Sequence, residues 1–266
     1  PKTSSAASDV YKRQVLSFQP LGQALGNDQP LYGLQAVGLD GKTPPLESVE
    51  ETAKVNVKAL QSIQSTGPYR LIGHSYGGVV AFEMARILLE QNEEVASLIL
   101  LDAFAPSVVQ KMLDEKEMLF EVCTTLANLY GRNLNMSIHQ YQQMSENFVE
   151  HASEAEQLEE MAKVLIREGV DITAEQFTTF YQVFKANRLC YLNYQPAKML
   201  HKLDVDLFRA DDGAYKSGEL SQEVMPEDYG WNELLFNPVQ IHDMQGSHFS
   251  ILSRSHIQQV VELMTR

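Results

Sequence analysis

The residues richest in chemistry are six in a row: Gly73-His74-Ser75-Tyr76-Gly77-Gly78. The pattern G-x-S-x-G belongs to a nucleophile elbow, a tight strand-to-helix turn that exposes a serine Oγ. Residues two before and two after the serine crowd the backbone of such a turn. Gly73 and Gly77 are therefore expected where any side chain would clash, with His74 flanking the turn and Gly78 opening the helix. That helix aims its N-terminal dipole at developing negative charge. The backbone N–H of Tyr76 is placed to bind an oxyanion.

A serine hydroxyl needs a base, and the base needs an orienting carboxylate. After an elbow of this kind the chain order is serine, acid, histidine. Of the seven histidines, His74 lies in the elbow, His139, His151 and His201 fall within or at the end of a helical stretch, and His256 sits in the last helix. His242 lies inside a strand-like run and reads as a packed or edge residue. His248 follows a strand and the turn Gln245-Gly246-Ser247, where a loop can lower an imidazole onto strand ends. It is the expected base. The acid has two candidate places, Asp102 or the pair Asp211 and Asp212. Both follow apolar runs, at the carboxyl ends of strands where open α/β sheets place their sites. The residues alone leave this choice open.

These groups must be carried by a scaffold, and the hydrophobic pattern supplies one. Strand-like and helix-like segments alternate, which points to a mostly parallel sheet with helices on both faces. Strands are expected at 31–36, 69–73, 95–101, 205–209 and 239–243. Helices are expected at 46–65, 78–91 and 255–264. Between Leu101 and Val205 the strand rhythm stops, and the chain is helical and rich in Met, Gln and Glu. A plain crossover needs far less chain, so residues 107–202 read as a helical lid over Ser75. Met112, Leu119, Phe120, Leu126, Leu129, Phe148, Phe177, Phe180 and Phe184 are its expected apolar face, lining a channel or packing on the sheet.

Composition excludes other classes. The 266 residues are 44% hydrophobic and 21% charged, ordinary for a soluble globular protein. A net charge of −14 argues against a nucleic-acid partner. No apolar run approaches the roughly 20 residues that span a bilayer, and no signal peptide is expected. Cys123 and Cys190, the only two cysteines, are too few for a disulfide framework or metal knuckle and read as free thiols in a reducing cytoplasm. No metal or bound cofactor is expected.

The stretch Gly67-Pro68-Tyr69-Arg70-Leu71-Ile72-Gly73-His74-Ser75-Tyr76-Gly77-Gly78, followed by Ala81-Phe82-Glu83-Met84-Ala85, resembles the terminal thioesterase domains of non-ribosomal peptide synthetases. Polyketide and fatty acid synthases carry related domains. Leu31-Tyr32-Gly33-Leu34-Gln35, Gly38-Leu39-Asp40, Leu100-Leu101-Asp102 and Gly230-Trp231 through Gly246-Ser247-His248-Phe249-Ser250 are similar as well. The resemblance covers residues 15–266 and is weakest in the lid. It implies an α/β-hydrolase fold and a triad of Ser75, Asp102 and His248. Free-standing editing thioesterases resemble the other choice, with Asp211 or Asp212 as the acid. The implied reaction releases a peptidyl or polyketide-like acyl chain from the 4'-phosphopantetheine of a carrier domain, upstream in the same polypeptide. It runs through an acyl-Ser75 ester and ends in hydrolysis or ring closure. A general carboxylesterase or lipase of the same fold is the nearest alternative, and a catalytically impaired acyl-binding domain the other.

The chain departs from the family at one place. Relatives carry a strand and a His-Pro-x-Gly-Gly-like loop just before the segment matching Val15-Leu16-Ser17-Phe18, and that loop supplies a second oxyanion donor. Here the stretch is Asp9-Val10-Tyr11-Lys12-Arg13-Gln14, without glycine. Residues 1–14 are therefore expected to be non-native or unstructured.

Overall fold

The computed structural model describes residues 17–26, 29–109, 113, 115–132, 153–212 and 226–264, apart from the side chains of Glu115, Lys116 and Asp212. The expectations for residues 1–14 and for Met112 and Phe148 lie outside these residues. Four strands, β1 (Tyr69–His74), β2 (Val95–Leu101), β3 (Val205–Asp212) and β4 (Gln240–Ser247), pair in that order, all parallel. The helices are α1 (Gln19–Leu25), α2 (Val49–Ile63), α3 (Tyr76–Glu90), α4 (Glu115–Leu129), α5 (Glu154–Arg167), α6 (Ala174–Asn193) and α7 (Gln258–Met264).

Both sheet faces are covered, and the strand sequences show why. Parallel strands need helical crossovers, which bury both faces and favour continuous apolar runs. Along β2, Leu98 and Leu100 pack with α2 and α3, while Ile99 and Leu101 pack with Leu21 of α1 and Val260 and Val261 of α7. Leu207 and Phe208 of β3 divide between the faces in the same way. Helix α2 starts at Val49, three residues later than expected, because Ser48 caps it by accepting a hydrogen bond from Glu51 N, and Glu50 and Glu51 sit favourably at its positive end.

Residues 31–36 do not form the expected strand. They run without a ladder, and Tyr32 and Leu34 are exposed. A strand exists only through a neighbour that takes its N–H and C=O groups. Among the described residues none pairs with this segment, and β1 is bonded on one edge only, to β2.

The 107–202 insertion contains α4, α5 and α6, which build a core of their own. Leu119, Leu126, Phe177 and Phe180 are buried in it, and Phe120, Leu129 and Phe184 pack against it. Among the described residues these side chains thus pack on one another rather than on the sheet. Three short amphipathic helices bury their apolar faces on one another most readily. The end of α6 joins the main core instead, through Cys190, Tyr191 and Tyr194. Tyr194 donates to Glu83 Oε2 at 2.6 Å, and Arg86 grips the same buried carboxylate through Nε and Nη2. Tyr191 donates to Phe104 O at 2.6 Å.

Helix α3 lies close on the sheet, and two glycines permit it. A Cβ on Gly73 would fall 2.2 Å from Gly77 O, and one on Gly78 would fall 2.4 Å from Ala103 Cβ. Gly77 does not behave as the sequence led us to expect. A Cβ there meets nothing within 4 Å, because Gly77 faces outward while Gly78 faces the chain leaving β2. Gly78→Ala is therefore expected to force α3 off β2 at a cost of about 1–3 kcal/mol. Gly77→Ala should be neutral or stabilise by up to about 1 kcal/mol, through helix propensity. Urea unfolding of the two variants checks this; equal losses would contradict the packing argument.

Candidate active site

Three loops meet at the carboxyl ends of the strands. Ser75 follows β1, Asp102 follows β2 and His248 follows β4. Ser75 has φ 54° and ψ −129°, a conformation that non-glycine residues adopt only when their surroundings hold them there. It stands at the N-cap of α3 without making a side-chain cap bond, so its hydroxyl is not spent on the helix. Tyr76 is the first residue of α3. The α-helical ladder leaves such an N–H without an acceptor, free for an anion in front of the turn.

Asp102 also has positive φ, 44°, and its side chain has no exposed surface. Its own N–H donates to Phe208 O at 2.7 Å, which fixes the backbone against β3. Oδ1 accepts from Ala210 N at 3.1 Å and Tyr229 OH at 3.3 Å, and Oδ2 accepts from His248 Nδ1 at 2.7 Å. Burial by itself would raise this carboxyl's pKa. The His248 hydrogen bond and charge, with the Ala210 N–H, outweigh it and hold the group below its ordinary value. An ionised carboxylate only accepts, so His248 Nδ1 carries the proton and, in the neutral ring, Nε2 is left as an acceptor.

Asp211 does a different job. Its Oδ1 accepts from Gly246 N at 2.7 Å, which pins the end of β4 that leads into His248. Gln245-Gly246-Ser247 is thus the last part of β4 and not the expected turn. The side chain of Asp212 lies outside the described residues. At the end of β4, Ser247 N donates to Ser250 Oγ at 2.8 Å, and His256 Nδ1 lies 3.0 Å from Ser250 O. A Cβ on Gly246, where φ is 108°, would fall 2.4 Å from Ser250 Oγ. His242 sits in β4, bonded through Nε2 to Asp206 at 2.6 Å and stacked on Phe208.

Some supporting residues escaped the sequence reading. Tyr229 carries one bond to Asp102, stacks on Phe104 at 4.3 Å and itself has φ 52°. The next residue but one, Trp231, donates from Nε1 to Ala103 O at 2.7 Å. An aromatic pair around Gly230 was the available signal, but nothing in the spacing says that it buttresses an acid more than a hundred residues earlier. Neither thiol is activated. Burial pushes Cys123 up to about 12 and raises Cys190. Among the described residues no cluster of His, Cys, Asp and Glu could hold a metal ion, and no helix is long and apolar enough to cross a membrane.

Known proteins resemble this chain in sequence and in fold. Residues 14–266 match the thioesterase domain family. The chain is 26% identical over 249 residues to the nonribosomal peptide synthetase pngA of Aspergillus terreus, covering 92% of this chain and 25% of that protein. It is 45% identical over 98 residues to malpibaldin synthetase of Mortierella alpina, covering 36% of this chain and 2% of that one. The chain thus spans only a fraction of the length of the curated relatives it matches. Among solved structures, the four-domain nonribosomal peptide synthetase holo-AB3403 superposes with a TM-score of 0.75 at 23% identity, over 93% of this chain and 18% of that one. The NocB thioesterase domain, in covalent complex with a fluorophosphonate nocardicin G analog, gives a TM-score of 0.63 at 19% identity, over 95% and 88%. These neighbours share a parallel sheet with helices on both faces, the α/β-hydrolase fold. With a family match that spans nearly its whole length, this chain belongs to the thioesterase domain family.

Proposed function

We propose that this domain releases an acyl chain from a carrier-bound thioester, with Ser75 as nucleophile, His248 as base, Asp102 as the orienting acid and the Tyr76 N–H as an oxyanion donor. The observation that carries the reading is the 2.7 Å bond between His248 Nδ1 and Asp102 Oδ2, made beside the elbow. His248 Nε2 takes the Ser75 proton as Oγ attacks the thioester carbonyl carbon. The tetrahedral oxyanion forms in front of the Tyr76 N–H and the start of α3. The C–S bond then breaks, the imidazolium gives its proton to the leaving thiol, and an acyl-Ser75 ester remains. In the second half, His248 takes a proton from water, or from an amine or hydroxyl of the same acyl chain, as that group attacks the ester carbonyl; the bond to Ser75 Oγ then breaks, the imidazolium returns its proton to Oγ, and a free acid or a ring leaves.

The substrate of this reading is a peptidyl or polyketide-like acyl group on the phosphopantetheine of a carrier domain, encoded upstream in the same polypeptide. The names of the relatives support it, since several are nonribosomal peptide synthetases. The insertion acts in this reading as a lid. Its helix α6 places Tyr191 against Tyr76, with ring centroids 5.9 Å apart, and so touches the residue that follows the nucleophile.

Ser75→Ala is expected to lose kcat by on the order of 10⁶ and to take no fluorophosphonate label, while its thermal unfolding stays close to that of the parent. Covalent labelling of that variant, located by peptide mass spectrometry, would remove Ser75 from the mechanism. A carrier-bound acyl thioester and a simple soluble ester, compared by kcat/KM, separate a thioesterase from a general esterase; the thioester should be strongly preferred.

The acid is tested by a pair of variants. Asp102→Asn should lower kcat by about 10⁴, because an amide leaves the wrong tautomer facing Ser75. Asp211→Asn should keep most activity, because the amide oxygen still accepts from Gly246 N. The reverse ranking in single-turnover assays would move the acid to the end of β3.

A further inference from the structure

The loop that carries His248 begins at the far edge of the described sheet from the elbow. Strands β1 and β4 are separated by β2 and β3. At the usual interstrand spacing they lie about 14 Å apart. For His248 to stand beside Ser75, the loop after β4 must fold back across two strands and stay there. From the last residues of β4 onward, the bonds that hold this path come from three strand ends in turn. Asp211 of β3 takes Gly246 N, and Asp102 after β2 takes the His248 ring. The last comes from His74 of β1, whose Nε2 lies 2.8 Å from the backbone oxygen of His248.

We propose that His74 is a positioning residue for the base: it donates Nε2–H to the His248 carbonyl and backs the His248 ring, thereby fixing base and nucleophile in one geometry. A carbonyl oxygen only accepts, so Nε2 of His74 must carry the proton. The same side chain sits face to face with the base, its ring centroid 4.5 Å from that of His248 with planes tilted by 34°. His74 immediately precedes Ser75. One residue therefore transmits the position of the elbow to both the backbone and the ring of the base. The contact closes a span that neither Asp102 nor Asp211 closes, since those tie the loop to β2 and β3 and not to the strand that carries Ser75.

Two imidazoles beside one serine raise the question of which acts as base, and the surroundings answer it. The charged or titratable groups facing His74 are His248 and Asp102. Burial, and then the charge of His248, depress the His74 ring to about 3, against the raising effects of the His248 carbonyl and the Asp102 charge. At neutral pH His74 is therefore uncharged. It spends its one N–H on the carbonyl, and its hydrogen bond to the base is through the backbone. His248 holds the carboxylate partner and remains the base.

This inference rests on the reading of His248 as the base, so the test carries a control for that reading. His74→Phe keeps a ring against His248 and removes the donor. His74→Gln removes the ring and restores an N–H at a similar reach. Each is assayed with a short acyl thioester of a pantetheine analogue, and kcat is counted per active site titrated with a fluorophosphonate. We expect His74→Phe to lose about 10–10² in kcat with little change in KM, the size of effect that follows a small displacement of a catalytic group. His74→Gln should recover most of that loss. His74→Phe working at the parental kcat per titrated site would overturn the proposal. So would His74→Gln being no faster than His74→Phe, since a donor would then not be what matters. His248→Ala is measured alongside. If it stays active, the base assignment itself fails; if it is dead while His74→Phe is unimpaired, only the role of His74 fails.

Discussion

A carboxylate with no exposed surface, set at the end of a buried strand, must be matched by donors or become protonated. Asp102 is in that position, and much of the site can be understood as the set of groups that satisfy it. Ala210 N–H and Tyr229 OH share one oxygen, and His248 takes the other. The two fixed donors come from β3 and from the loop before β4. The third donor is the His248 ring, held in one tautomer by the same bond that satisfies the carboxylate. Positive φ at Ser75, Asp102 and Tyr229 concentrates backbone strain at this point, about 1–3 kcal/mol for each such residue. Packing of Trp231 on Phe82 and its bond to Ala103 O hold the neighbouring chain in place.

A second buried carboxylate connects the site to the insertion. Glu83 lies on the nucleophile helix and is 1% exposed. Arg86 from its own helix and Tyr194 from just past α6 satisfy it. Neutralising a buried charge this way adds little net stability, but removing one partner is costly. Its consequence is geometric. The end of α6 cannot shift without disturbing α3, so the root of the insertion is fixed, while the insertion's own core is built from residues earlier in the chain. Tyr191, bonded to Phe104 O beside the acid and packed near Tyr76, strengthens that root.

Much of this was legible in the sequence because it is local. The elbow is six consecutive residues, and β2 falls at the bounds its apolar run implies. The acid was not legible from spacing, because Asp102 and Asp211 both end parallel strands. Only the three-dimensional approach of the loop after β4 separates a ring partner from a backbone clamp. Residues 31–36 carry the composition of a strand, but pairing depends on a neighbour, which a single segment cannot reveal. Gly77 was misjudged for a related reason. Which of two adjacent glycines faces the sheet depends on helix phase, and the chain leaving β2 through Ala103 decides it.

The central claim is that the Asp102 carboxylate and His248 Nδ1–H form one short, charge-assisted hydrogen bond. Proton NMR of the domain observes it directly, since an imidazole N–H in such a bond resonates far downfield of the amide envelope. The account predicts a single far-downfield resonance, assigned to His248 by its disappearance in His248→Ala, that is lost in Asp102→Asn and persists in Asp211→Asn. A resonance that survives Asp102→Asn, or that vanishes in Asp211→Asn instead, would contradict it.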